Sequence, residues 1–170
     1  MLNQYDVAKY FLSLDKENKY FNKKLVTRNG RQFYEGNARL NKMLHLAQNI
    51  YVAKSSELLI DATFYAYDNG AVLPDIQENY GRLLSQHSTM GFDFSDEEEH
   101  FLQQIFNIFK DAPLDELISL DHEDPEWKEK HNSYKKEEQK MDTLVNVEEY
   151  KRRYKDILKV MDRMEFQYAN

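Results

Sequence analysis

Asn37-Ala38-Arg39-Leu40-Asn41-Lys42-Met43-Leu44-His45-Leu46-Ala47-Gln48-Asn49-Ile50-Tyr51-Val52-Ala53-Lys54 is the stretch from which the fold is read. Leu40, Met43, Leu44, Ala47, Ile50 and Tyr51 recur three and four positions apart, the spacing that lines one face of a helix. The pattern predicts a helix over 38–54. Asn37 is its expected N-cap, because its side-chain oxygen can accept a backbone N–H that has no partner inside the helix. Gly36 allows a sharp entry. Downstream, 58–67 is apolar and aromatic but too short and unpatterned for a helix, and is expected to be extended. Asp68-Asn69-Gly70 then reads as a turn, since these residues tolerate angles that others resist. Pro74 suits a helix N1 position, and Ile76, Tyr80, Leu83 and Leu84 give that helix an apolar face.

Outward from this centre the pattern stays mainly helical. Asn3 caps a first helix with Asp6 in its first turn and Val7, Ala8, Phe11, Leu12 and Leu14 facing inward. The polar run 15–22 ends it. Asn29-Gly30, flanked by Leu25-Val26-Thr27 and Gln32-Phe33-Tyr34, is a favoured pair for a tight hairpin. A lone hairpin is marginal in water, so it should pack on the extended segment 63–67. Ser95-Asp96-Glu97-Glu98 is a capping box opening an apolar helix to about Lys110 with Phe101, Leu102, Ile105, Phe106, Ile108 and Phe109. Asp111-Ala112-Pro113 breaks it, and Leu114–Leu120 forms a short helix. Asp121–Asp124 is a turn, with Asp124 capping a helix that starts at Pro125 and carries Trp127. The almost wholly polar run 128–142 fits either an exposed helix or a mobile segment. A last helix over 147–168 carries Tyr150, Tyr154, Ile157, Leu158, Met161 and Met164 along one side. The expected fold is therefore mainly α, a compact bundle of about six or seven helices with one small antiparallel β element.

Composition narrows function. A chain of 170 residues suits one domain with a proper core. The net charge of −7 disfavours nucleic acid as the main partner, because affinity for phosphate comes from Lys and Arg. The segment 15–36 is an exception: Lys16, Lys19, Lys23, Lys24, Arg28 and Arg31 intersperse with Tyr20, Phe21 and Phe33. Such a mix can bind single strands, although a solvated hairpin accounts for it equally well. Cysteine is absent, which excludes disulfides, thiolate catalysis and cysteine-based zinc sites. No apolar run approaches the roughly 18 residues of a membrane span, and the N-terminus has no signal core, so a cytoplasmic location is expected.

The five histidines, His45, His87, His100, His122 and His131, include no pair at zincin spacing. His122-Glu123-Asp124 with His131 is the one cluster with metal-binding chemistry. Set against that is a structural role, in which His122 donates to a backbone carbonyl and Asp124 caps a helix. No glycine-rich phosphate loop is present, and Ser85 and Ser88 beside His87 lack an orienting acid. The expectation is a protein without catalytic residues, cofactor or metal.

Three blocks carry a resemblance to the Panacea antitoxin domain. Ala38 to Gln48 is similar to that family's opening, in which a leucine and a lysine precede a Leu-Leu-Tyr-Phe-Ala-Gln type run. Ala66, Tyr67, Gly70, Ala71, Val72 and Pro74 resemble its aromatic followed by a Gly-Pro-Val-x-Pro turn. His122-Glu123-Asp124-Pro125-Glu126-Trp127 resembles its late His…Pro-x-Trp element. The chain departs from the family at Ala71 (usually Pro), Tyr67 (usually Trp) and Asp121 (often Thr). The resemblance covers roughly 6–130, and implies a single domain over 1–170 with its core at 37–130, an inserted hairpin at about 15–36 and the C-terminal helix at 147–168. It also implies a cytoplasmic, bacterial or phage-associated antitoxin that neutralises a cognate protein toxin by direct contact, with homo-oligomerisation compatible. On that reading Tyr67, Gly70, Pro74, His122, Asp124 and Trp127 form the partner surface or its support. The alternatives are a proteolytic adaptor, with 128–142 as its tether; a hydrolase centred on His122, Glu123 and Asp124; and a phage or mobile-element structural protein.

Overall fold

The longest helix, α2 (Glu35–Ser55), lies at the centre, and fifteen of its 21 residues are buried. The computed structural model describes residues 1–86 and 91–169; His87 and Ser88 lie outside them. Against α2 pack α1 (Gln4–Leu14), α5 (Asp96–Phe109), α6 (Leu114–His122) and α8 (Val147–Arg153). Leu40, Met43, Leu44, Ala47 and Ile50 of α2 are fully buried, joined in the core by Phe11, Phe64, Phe101, Leu102, Ile105 and Tyr150. The mainly helical architecture expected from the sequence is the one observed.

The expected helix over 38–54 begins three residues early, and Asn37 is not its cap. The chain enters α2 directly from a strand: Glu35 N–H still bonds Lys24 O at 2.8 Å, and Tyr34 stands at the N-cap without a side-chain bond. Asn37 instead donates to Gln77 O and accepts from Asn41. Gly36 answers to packing. A Cβ there would overlap the Asn22 backbone and the Tyr80 hydroxyl, which donates to Asn22 O at 2.8 Å.

Two other helical runs divide. Residues 74–86 form α3 (Pro74–Glu78) and α4 (Tyr80–Gln86), separated at Asn79, whose amide bonds Asp75 O. The last run forms α8 and α9 (Lys155–Ala169), separated at Tyr154. These breaks raise the count to nine α-helices among the described residues. Asn3 caps α1 and Ser95 completes a capping box on α5, both as expected.

The β structure is two separate hairpins rather than one packed element. The first pairs β1 (Leu25–Arg28) with β2 (Arg31–Tyr34) around Asn29 and Gly30, both at positive φ. The second pairs β3 (Tyr65–Tyr67) with β4 (Gly70–Val72) around Asp68-Asn69. The first does not lie on 63–67. Among the described residues its bonds to the second run turn to turn, through Asn29–Asn69 at 3.1 Å and Arg31–Asp68 at 3.4 Å, and it meets the start of α6 through Arg28 and Asp115. Its base is organised by Asp15, a buried carboxylate that accepts the N–H groups of Lys19, Tyr20 and Phe21.

The polar run 128–142 is neither a helix nor detached. After α7 (Pro125–Lys130) it continues through turns and a short 3-10 segment, 136–139. A bridge from Lys140 to Tyr65 and the bond from Met141 N to Phe64 O (2.9 Å) then sew it to β3, with Met141 buried.

Candidate functional site

A helix buried on nearly every side must pair its polar groups inside the protein, because an unpaired buried polar group costs about 1–3 kcal/mol and a charge more. Helix α2 carries Lys42, His45 and Asn49 at successive turns of one stripe, all buried. Their partners come from the α6–α7 junction. The Lys42 ammonium sits 3.0 Å from Asp121 Oδ2. His45 Nδ1 makes a short bond to Asp121 Oδ1, and His45 Nε2 lies 2.9 Å from Asp124 Oδ2. Asn49 donates to Asp124 at 3.0 Å, and the Tyr150 hydroxyl from α8 donates to the same carboxylate at 2.9 Å. Asp124 also caps α7 by accepting Glu126 N–H.

Both ring nitrogens of His45 face carboxylate oxygens, with the Asn49 amide nitrogen also 3.1 Å from Nε2, and the two carboxylates favour the imidazolium. Burial pushes its pKa down, but Asp121 and Asp124 override this and raise it to about 9. Burial likewise pushes Asp121 and Asp124 up, and their cationic and hydrogen-bonding partners win, holding both carboxyls below the ordinary range. Two cations and two anions make the cluster electrically neutral. Burial and the neighbouring carboxylate push the Tyr150 phenol far up, so it stays a donor.

The cluster also seats the second hairpin. Ala71 N donates to Asp121 Oδ2 at 2.8 Å, and Lys42 Nζ donates to Ala71 O at 3.0 Å. One buried ion pair thus satisfies both backbone groups that Ala71 turns away from β3. Gly70, at φ +118°, is the residue that lets the strand approach so closely: a Cβ there would overlap Asp121 and Lys42. From the other side, Trp127 Nε1 donates to Tyr67 O at 2.8 Å. The indole is sandwiched between His122 and His131, at ring separations of 3.8 and 4.0 Å.

Of the residues proposed from sequence, Gly70, Asp124 and Trp127 are buried, Trp127 at 7% exposure. Gly70 and Trp127 support the hairpin from beneath, and Asp124 belongs to the buried cluster. Tyr67, Pro74 and His122 are half-buried, with Pro74 at N1 of α3. His122 does not brace the turn through a carbonyl. It stacks on Trp127, and its buried Nε2 has no hydrogen-bond partner among the described residues. The sequence reading missed Lys42, His45, Asn49, Asp121 and Tyr150 as a unit. Beside the cluster, a cleft of about 190 Å³ opens between the hairpins, with Phe33, Tyr67, Asn69 and Val72 on its walls and Asn41 and Lys42 of α2 also lining it.

Among the described residues no group of three or more His, Asp or Glu is arranged to hold a metal ion, and no helix is long and apolar enough to cross a membrane. A family model described as antitoxin SocA-like, Panacea domain, matches residues 40–128. That span takes in α2 from Leu40 onward, the second hairpin and α6 through Trp127, and it leaves out α1, the first hairpin and α8–α9. No curated protein and no solved structure matches the chain.

Proposed function

The chain belongs to the SocA-like Panacea antitoxin family, and from that premise we propose that it is the antitoxin of a toxin–antitoxin pair, acting in the cytoplasm by direct contact with a protein toxin. The carrying observation is how the family-matched span spends its charged groups. Lys42, His45, Asp121 and Asp124 are at most 2% exposed and bonded to one another and to the backbone of β4. Of the four only Lys42 lines the cleft, and its ammonium is held by Asp121 and Ala71 O, which supports a rigid binding surface rather than catalysis. What the cluster holds in place is a turn. Tyr67, Asp68 and Asn69 stand at the rim of the cleft, backed by Trp127 below and Ala71 beside. Neutralisation needs slow dissociation, which comes from packed anchors held in advance.

The test is to clone the adjacent reading frame. The expected result is that it arrests growth alone, that co-expression of this chain restores growth, and that the two proteins co-purify at fixed stoichiometry. An adjacent product that is harmless, or an arrest that this chain leaves untouched, overturns the proposal. Changing Tyr67→Ala together with Asp68→Lys should weaken rescue while the helical circular dichroism signal is kept.

A further inference from the structure

Four strands give four outer edges, and the second hairpin has both of its own occupied. On β4, Ala71 N and O are taken by Asp121 and Lys42; on β3, the chain at Lys140–Met141 lies alongside. The first hairpin is different. Glu35 N–H bonds Lys24 O, so in an antiparallel ladder the pairs Val26/Phe33 and Arg28/Arg31 bond inward as well. The backbone groups of Leu25 and Thr27 then point away from β2. No backbone bond from another element reaches them among the described residues, and both residues are exposed, Leu25 at 55%. The outer edge of β2 is less open, since α2 and the cleft toward the second turn lie against it.

The charge at this edge is opposite to that of the rest of the molecule. Residues 16–31 hold six Lys or Arg and one Glu in a chain of net charge −7. Arg28 is spent on Asp115 and Arg31 on Asp68, while Lys24 reaches Glu35 only at 3.9 Å. Lys16 and Lys23 are exposed with no ion-pair partner among the described residues, and Lys19 lies over the Tyr20 ring. Free cations therefore gather at the Lys23–Lys24 end of β1, whereas the Arg28 end is already neutralised.

The geometry points to β1 as a docking strand that takes an extended, acidic segment of the partner protein by strand addition, the segment's carboxylates lying at the Lys23–Lys24 end. Main-chain bonds to Leu25 and Thr27 supply affinity in this mode, and the flanking side chains choose the sequence. An exposed edge left without such a use is an aggregation hazard, which lysines at its end also suppress. The inference rests on the antitoxin reading only for the partner being a protein.

It can be tested without a toxin. The probe is a labelled ten-residue peptide of alternating threonine and glutamate, with the threonine–lysine peptide as control. Amide exchange in the free protein should be fast at Leu25 and Thr27 and slow at Val26 and Arg28. The acidic peptide should bind saturably and slow exchange at Leu25 and Thr27 by at least tenfold, and the basic peptide should not. Thr27→Pro removes one outward donor and leaves the β1–β2 ladder intact, so it should abolish binding; Lys23→Glu with Lys24→Glu should weaken it tenfold or more. If Thr27→Pro misfolds, an acidic peptide N-methylated on the amides facing β1 serves instead and should not bind the unaltered protein. Slow exchange at Leu25 and Thr27 in the free protein, absence of saturable binding, or binding that survives N-methylation overturns the inference. Failure of toxin rescue with normal peptide binding would count against the antitoxin reading alone.

Discussion

His45 is one imidazole between two carboxylates, and its protonation is linked to folding. Its pKa is about 9 in the folded protein and about 6.5 when unfolded. A raised folded value means that the stabilisation is complete below pH 6.5 and is lost as pH rises through 9. Unfolding free energy should therefore fall across pH 6.5–9 by on the order of 3 kcal/mol, and the His45→Gln variant should lack that slope. Denaturant titrations at four or five pH values would show it; a wild-type profile flat over that window rules out the buried imidazolium. Trp127 calls for a different expectation. It is packed between two histidines and bonded to Tyr67 O, so Trp127→Ala should cost about 3–5 kcal/mol and lose rescue through loss of fold. A variant that melts with the wild type but fails to rescue would return the ring to the partner surface.

The elements were legible where a local signal decides them. Asn3, Ser95 and Asp124 cap the helices their sequence contexts indicate, Pro74 stands at N1, and Asn29-Gly30 turns a hairpin. Tertiary demands decided the rest. Asn37 looked like a cap, but β2 runs straight into α2 and the side chain is used elsewhere. The run 128–142 has no apolar periodicity, and its seat comes from backbone bonding at Lys140 and Met141. The buried cluster did leave a trace, since Lys42, His45 and Asn49 mark a polar stripe on a helix otherwise apolar enough to be surrounded. Their partners lie more than seventy residues away at Asp121 and Asp124, a distance that helical spacing does not bridge. At this scale Leu44→Ala in α2 and Phe106→Ala in α5 should each cost roughly 2–5 kcal/mol, because both side chains are buried in the same core. Thermal melts decide it, and a shift within about a degree would remove the helix concerned from the core.

Across the whole molecule, charge is sorted into a basic lobe at the first hairpin and an acidic remainder. Exposed charges act within roughly 8 Å at physiological salt and mainly on association rate. Glu129, Glu137 and Glu138 belong to that exposed class, and Glu137 pairs with the partly exposed Lys140. Reversing all three to Lys should leave the melting temperature within a few degrees, exposed pairs being worth about 0–1 kcal/mol, and should leave rescue in place. Loss of rescue with the fold intact would make that segment the binding element. The family blocks have a physical reading at this scale too. They supply the ion pairs of the neutral buried cluster and the hairpin above it, and the matched span of 40–128 contains them while the basic lobe lies outside it.

The ion pair beneath Ala71 has a consequence for how such a protein can change. It performs for β4 the task that a neighbouring strand performs in a larger sheet, so the hairpin is held at its stem by buried bonds, while its tip makes only exposed contacts with the first hairpin among the described residues. At the tip, neither Asp68 nor Asn69 has a positive φ, and Gly70 alone bears that conformation. The two tip positions are thus free of the backbone constraint that usually freezes a tight turn. Selection can rewrite them, or lengthen the loop between Tyr67 and Gly70, without disturbing the seat. The molecule is built as a fixed handle with an exchangeable bit, a design in which a few surface residues at the tip can change while the interior stays as it was.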